Sequence, residues 1–148
     1  MRITSEGQVD VFKNLIEHRP WGYFGLYASN EPCTVKILYV KSGEALSLQV
    51  HRHRAQFYYC LDEGFVISYS TKQVPEDAVG DRVALKNFVA GHLISEYGSE
   101  GSMFGFRKRV IHQAGYAGSR EYGRIFEIAF GENDEKDIIR IEDKYGRE

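Results

Sequence analysis

An all-β sandwich or barrel with minor helical segments is the fold this sequence predicts. Short runs rich in β-branched and aromatic residues recur along the chain, and glycine-bearing turns separate them. The composition agrees, with 15 Gly, only 3 Pro, 10 Tyr and 9 Phe in 148 residues.

Thr34–Val40 reads Thr-Val-Lys-Ile-Leu-Tyr-Val and stops at the turn residues Lys41-Ser42-Gly43. In Ala45–His53 the aliphatic Leu46, Leu48 and Val50 alternate with Ser47, Gln49, His51 and His53. A strand there puts the polar set on one face and the aliphatic set on the other. Phe57–Leu61 and Phe65–Ser70 flank Asp62-Glu63-Gly64 and read as a hairpin. Met103–Phe106, Val110–Gln113 and Gly123–Phe130 continue the strand pattern. Between them Thr71–Ser102 is less regular. Val79, Val83, Leu85, Phe88 and Val89 suit one face of a short helix or a strand, and Gly91, Gly98 and Gly101 read as loops. The acidic tail from Glu132 carries Ile138, Ile139 and Ile141, which are expected to pack back on the body.

Composition also excludes function classes. With 19 Lys and Arg against 21 Asp and Glu the net charge is -2, so no general field attracts nucleic acid or an anionic membrane. No apolar run approaches a membrane span, and the start does not read as a signal peptide. Cys33 and Cys60 have no metal-type spacing and suggest no disulfide scaffold. A reduced, cytoplasmic compartment is the expectation.

The chemistry concentrates in Gly43–Gln56. A strand that sends Gln49, His51 and His53 to one side offers three donors about 7 Å apart. Imidazole nitrogen with amide oxygen suits zinc, or manganese, iron or nickel, with His112 as a distant fourth ligand. The same residues also read as two surface histidines on a polar strand face.

Several separated pieces carry a resemblance: His18-Arg-Pro-Trp-Gly22, Val35-Lys-Ile-Leu-Tyr-Val-Lys-Ser-Gly43, Leu46-Ser-Leu-Gln-Val-His-Arg-His-Arg54, Ile125-Phe-Glu-Ile-Ala-Phe-Gly131 and Asp137-Ile-Ile-Arg-Ile-Glu-Asp-Lys-Tyr-Gly-Arg147. Together they resemble type II phosphomannose isomerases, including the C-terminal domain of bifunctional mannose-1-phosphate guanylyltransferase/isomerases. The resemblance implies a cupin double-stranded β-helix over residues 18–148. Residues 1–17 would be an N-terminal arm, swapped in a homodimer. It implies a divalent metal, zinc first and manganese, iron, cobalt or nickel next, held at Gln49, His51, Gln56 and His112. The family has Glu where Gln56 stands, so the metal is weakened or absent, with His53 as a substitute ligand. It has Pro-x-Gly where Arg107-Lys108-Arg109 stands, and those three cations are expected at the barrel mouth, holding a phosphate or simply solvated. The family also more often has Glu-His-Trp where Gln56-Phe-Tyr58 stands, which makes the pocket wall more apolar.

Other expectations follow for single residues. Trp21 plugs the barrel bottom or packs the arm. Lys36 faces substrate, Glu127 or solvent. Arg54 polarises a sugar oxygen. Glu127 is a buried structural partner or a general base. Thr71–Ser102 is a lid or a partner surface, and Tyr145, Gly146 and Arg147 anchor the tail. The implied activity is interconversion of mannose 6-phosphate and fructose 6-phosphate, or a related sugar-phosphate reaction. The alternatives are a non-catalytic cupin binding a sugar or metabolite, and another cupin chemistry such as epimerisation. Nucleotidyl transfer is not expected, since no Gly-rich phosphate loop is present.

Overall fold

The computed structural model describes residues 15–28, 33–132 and 134–146. Eleven strands are found among them: β1 (Leu15–Arg19), β2 (Gly22–Ala28), β3 (Thr34–Lys41), β4 (Leu48–His51), β5 (Ala55–Cys60), β6 (Phe65–Ser70), β7 (Leu93–Gly98), β8 (Met103–Phe106), β9 (His112–Tyr116), β10 (Tyr122–Phe130) and β11 (Ile138–Glu142). All pair antiparallel, in two sheets ordered β1-β2-β3-β10-β5-β8 and β11-β4-β9-β6-β7. One α-helix, α1 (Arg82–His92), lies before β7, and single 3-10 turns lie at Glu76–Ala78 and Glu135–Asp137.

β4 shows why the barrel has a polar lining. All four of its residues are buried, so both faces are covered, each by something different. Leu48 and Val50 join Val74, Val79, Leu85, Ile111 and Ile141 in a core on one side. Gln49 and His51 face the interior between the sheets, whose apolar part is built from residues including Trp21, Leu38, Tyr58, Phe65, Ile67 and Ile125. The alternation expected for this segment is thus present, but the strand ends at His51, and His53 is exposed in the following turn. His53 therefore does not join the polar row as a substitute ligand. Its backbone N–H is spent on the Asp137 carboxylate at 3.1 Å.

The segment 71–102 resolves into a helix and a strand. Asp81 caps α1, its carboxylate accepting from Val83 N at 2.9 Å and Ala84 N at 3.1 Å. Leu85 is buried and Phe88 and Val89 are partly buried at helical spacing, while Val83 is 69% exposed on another face. Gly91 lies in the last turn of α1, not in a loop. None of this segment lines the cavity described below, so it covers one face of the five-stranded sheet and extends its edge, and is no lid.

Phe57–Leu61 and Phe65–Ser70 do not form a hairpin. β5 pairs with β10 and β8 in one sheet and β6 with β9 and β7 in the other, so Asp62–Gly64 carries the chain between sheets. Asp62 holds the crossing by accepting from Arg124 N and Nε at 2.9 Å and from Nη2 at 3.0 Å. The first strand begins at Leu15, so residues 15–17, assigned to the arm, belong to the six-stranded sheet. The rest of the arm and Arg147 lie outside the described residues. The tail is anchored through Glu44, which accepts from the Tyr145 hydroxyl and pairs with Lys144 Nζ at 2.5 Å. Both cysteines are free, and no described helix is long and apolar enough to cross a membrane.

The crossing turn is a demanding backbone position. Gly64 has φ +101°, and a Cβ there would lie 2.5 Å from Gly118 Cα, whereas Gly43, at φ +84°, has open space. Gly64→Ala is expected to cost about 3 kcal/mol or more and Gly43→Ala only about 1 kcal/mol. Urea denaturation checks this, and equal costs would contradict it.

Candidate functional site

The site is assembled by register. Glu127 on β10 pairs with Lys36 on β3 and with Tyr58 on β5, which puts these three side by side across the larger sheet. Gln56 lies opposite Ala129 on the same strand pair. In the facing sheet Gln49 pairs with His112 on β9 and with Arg140 on β11. His51 follows two residues later on the Gln49 face, its ring 5.3 Å from that of His112. Gln49, His51, Gln56, Arg54, Glu127 and Lys36 line one cavity of about 510 Å³, counted to its open mouth. Trp21, Phe24, Leu38 and Leu46 supply its apolar wall, and Arg19, Glu135 and Arg140 its more exposed rim.

Buried charge dominates the interior. Arg54 is 3% exposed; its Nη2 lies 3.1 Å from His51 Nδ1 and its Nε 3.7 Å from Asp137 Oδ2. Asp137 also accepts from the backbone N–H of Arg52 at 3.0 Å and of His53, closing the turn that carries Arg54. Burial raises the Glu127 carboxyl above its ordinary value, and the opposing pull of Lys36 and Arg54 does not cancel it. Burial also lowers both imidazoles, His112 to about 4 and His51 well below the usual range, with His112 and Arg54 adding to the effect on His51. Lys36 turns inward, its Nζ 4.7 Å from the centre of the Phe24 ring.

The expected metal ligands can be tested by their atoms. His112 Nδ1 lies 3.0 Å from Val110 O, a pure acceptor, so Nδ1 carries the proton and Nε2 keeps its lone pair. Gln56 Oε1 sits 2.6 Å from that Nε2, so with Nδ1 protonated two lone-pair atoms face each other there. His51 Nε2 is buried with no hydrogen-bond partner, while Gln49 Oε1 accepts from the Ser47 hydroxyl at 3.0 Å. Two neutral imidazoles and two carboxamides are donor types a divalent ion accepts, and His51, Gln56 and His112 lie near one another. They bring no charge to it, and among the described residues no group of three or more His, Cys, Asp or Glu comes together that could hold an ion. An ion held here would be held by neutral donors alone.

The basic turn lies elsewhere. Arg107 lines a different cavity, with Tyr69, Phe104 and Phe106, and Lys108 is exposed. Arg109 Nη1 donates to Val74 O at 3.2 Å. Arg109 keeps φ +63° at the position where the resemblance has glycine, so the turn persists without it. The expectation of three cations at the mouth of this cavity is corrected: its rim is formed by Arg19 and Arg140 instead. Both stand in quoted motifs, Arg-Pro-Trp-Gly and Asp-Ile-Ile-Arg-Ile, but neither has a local spacing that marks it as a site residue.

Two antiparallel sheets closed around a polar, partly charged lining define a cupin. Solved structures agree on the fold. The capsular polysaccharide assembling protein CapF from Staphylococcus aureus superposes with a TM-score of 0.66 at 14% identity, over 90% of this chain and 33% of that one. KdgF from Halomonas sp. gives 0.58 at 11% identity, over 84% and 91%. The family description "Mannose-6-phosphate isomerase C-terminal" matches residues 6–77, which include Gln49, His51, Arg54 and Gln56. Xanthan biosynthesis protein XanB of Xanthomonas campestris pv. campestris (strain B100) is 30% identical over 99% of this chain and 27% of its own. Mannose-1-phosphate guanylyltransferase ManC of Salmonella typhimurium is 26% identical over 99% and 26%. The chain is similar to mannose-6-phosphate isomerase C-terminal domains over residues 6–77, just under half of it, and it spans about a quarter of the length of these curated relatives.

Two measurements follow. Both imidazoles are neutral when folded and ordinary when unfolded, so the unfolded chain takes up protons that the folded one refuses. Their stabilising contribution is complete above pH 6.5 and, for His112, is lost on the way down to about 4. The slope is about 1.4 kcal/mol per pH unit for each histidine, offset in part by Glu127, whose raised carboxyl acts in the opposite direction. Urea midpoints are expected to fall between pH 7.5 and 5, and less steeply in His112→Gln; a flat profile contradicts this. For the metal, Gln56→Glu adds the missing charge and is expected to raise zinc affinity roughly tenfold or more in a chelator competition. Unchanged affinity would show that charge at this position is not what limits binding.

Proposed function

We propose that this cupin binds a phosphorylated sugar in its cavity and interconverts aldose and ketose forms, with mannose 6-phosphate and fructose 6-phosphate as the pair the family description suggests. The observation that carries the reading is Glu127: a carboxyl 5% exposed, raised by burial, in a cavity that also holds Lys36 and Arg54. Aldose–ketose isomerisation removes a proton from the carbon beside a carbonyl and returns it to the neighbouring carbon. A carboxylate with a raised pKa suits both halves, because it takes the proton as a base and gives it back as an acid. Arg54 is fixed by its own turn and needs no reorganisation to stabilise negative charge growing on the sugar oxygen. Lys36 beside Glu127 favours the ionised base and offers a donor to a sugar hydroxyl. A divalent ion at Gln49, His51, Gln56 and His112 would supply Lewis-acid polarisation of the carbonyl.

Gln56 favours a second reading, binding without turnover, because it removes the carboxylate the family brings to the ion. A coupled assay for fructose 6-phosphate, run with zinc, manganese or cobalt, separates the two. Under the first reading Glu127→Gln lowers kcat by roughly 10²–10⁴-fold with KM little changed. Wild-type activity also rises with pH through a carboxyl above the ordinary range. Turnover within about threefold of wild type in Glu127→Gln would remove Glu127 from the mechanism. Calorimetric binding of sugar phosphate by a wild type without turnover would leave the second reading standing.

A further inference from the structure

We infer that Arg19 and Arg140 form the anion subsite of the cavity, that they take the phosphate of a sugar phosphate, and that the Glu135 carboxylate is the internal group the phosphate displaces. The inference rests on the reading of the cavity as a sugar-phosphate site and adds which residues read the phosphate. Arg19 ends β1 in one sheet and Arg140 lies on β11 in the other, so the two approach the rim from opposite walls. Both face the same carboxylate: Glu135 Oε1 lies 3.9 Å from Arg19 Nη2, and Glu135 Oε2 lies 3.5 Å from Arg140 Nη2. Those separations exceed the 2.7–2.9 Å or so of a charge-assisted hydrogen bond, so the carboxylate spans the gap without filling it. Glu135 is also the most exposed of the three, its side chain 66% exposed against 28% for Arg19 and 21% for Arg140.

Donor capacity remains on both arginines. Arg140 Nε is buried with no hydrogen-bond partner. Arg19 gives Nη1 to His18 O at 3.0 Å and Nη2 to Glu17 Oε2 at 2.9 Å, and its guanidinium lies 5.0 Å from the centre of the Phe24 ring, which orients it towards the cavity wall. A tetrahedral phosphate, with three acceptor oxygens and nearly twice the charge of a carboxylate, suits the span between two guanidinium groups better than Glu135 does. The local charge agrees. Among the described residues Arg19, Lys36, Arg54 and Arg140 line the cavity with Glu127 and Glu135, while Glu17 and Asp137 pair with Arg19 and Arg54 from outside it, in a chain whose net charge is -2. Arg140 is also the cross-strand partner of Gln49, which places the phosphate end beside the deeper polar row.

Calorimetry with fructose 6-phosphate, free fructose and inorganic phosphate tests the assignment. Arg140→Met and Arg19→Met are each expected to weaken fructose 6-phosphate binding roughly tenfold while leaving free fructose unchanged. Glu135→Gln, a substitution on the exposed rim, is expected to tighten fructose 6-phosphate and inorganic phosphate about threefold. Arg107→Met should change nothing. Loss of binding in Arg107→Met with none in Arg140→Met would overturn the assignment, as would weaker binding in Glu135→Gln or no binding of either phosphate probe by the wild type. Binding with this pattern but no turnover would leave the subsite intact and remove only the isomerase reading.

Discussion

The rest of the site depends on one buried guanidinium. Arg54 cannot shed its proton, so the interior of the barrel has to be arranged around a permanent positive charge. The Asp137 carboxylate lies close to it and also ties down two backbone N–H groups of the turn that carries it. That single carboxylate therefore joins the β4–β5 turn to the entry of β11. Removing one partner of such a buried pair typically costs about 3–5 kcal/mol, because the remaining charge is left uncompensated. The same guanidinium presses on His51 from one side and draws on Glu127 from the other, so it sets the electrostatics of the chemistry as well as the path of the chain.

The barrel can keep this polar interior because its apolar burial is divided. One core fills the space between the sheets, and a second, built around Leu85 and the outer residues of β4, β11 and the loop before β9, covers the other face of the five-stranded sheet. β4 lies at the seam, contributing aliphatic side chains outward and Gln49 and His51 inward. The second core supplies hydrophobic burial without claiming the cavity, which pairs an apolar wall with cations, carboxamides and one raised carboxyl.

Much of the fold was legible in the sequence where alternation and turn residues agree. β3 differs by one residue from the expected span, and β6 and β8 have the expected ends. Local pattern fails where the partner strand decides. Asp62–Gly64 looks like a hairpin turn because nothing nearby says that its flanking strands enter different sheets. β1, β2, β7 and β11 are not marked as strands for a related reason. β7 has four exposed residues in six at a sheet edge, so no alternating apolar face announces it. Gln49 pairs with His112, whose ring lies beside that of His51 and the carboxamide of Gln56, and of these Gln56 is joined to the set by the resemblance and not by local spacing. The cation rim does not announce itself, because Arg19 and Arg140 are far apart in sequence and meet only through the closure of the two sheets, while the conspicuous Arg-Lys-Arg run faces elsewhere.

The central claim is that Glu127 carries a proton between adjacent sugar carbons, and solvent isotope exchange reports on that step directly. Fructose 6-phosphate incubated with the protein in deuterium oxide and followed by proton NMR is predicted to gain deuterium at C1, with the aldose product labelled at C2. Glu127→Gln is predicted to bind the sugar and leave both carbons unlabelled. A wild type that binds fructose 6-phosphate yet introduces no deuterium would contradict the account.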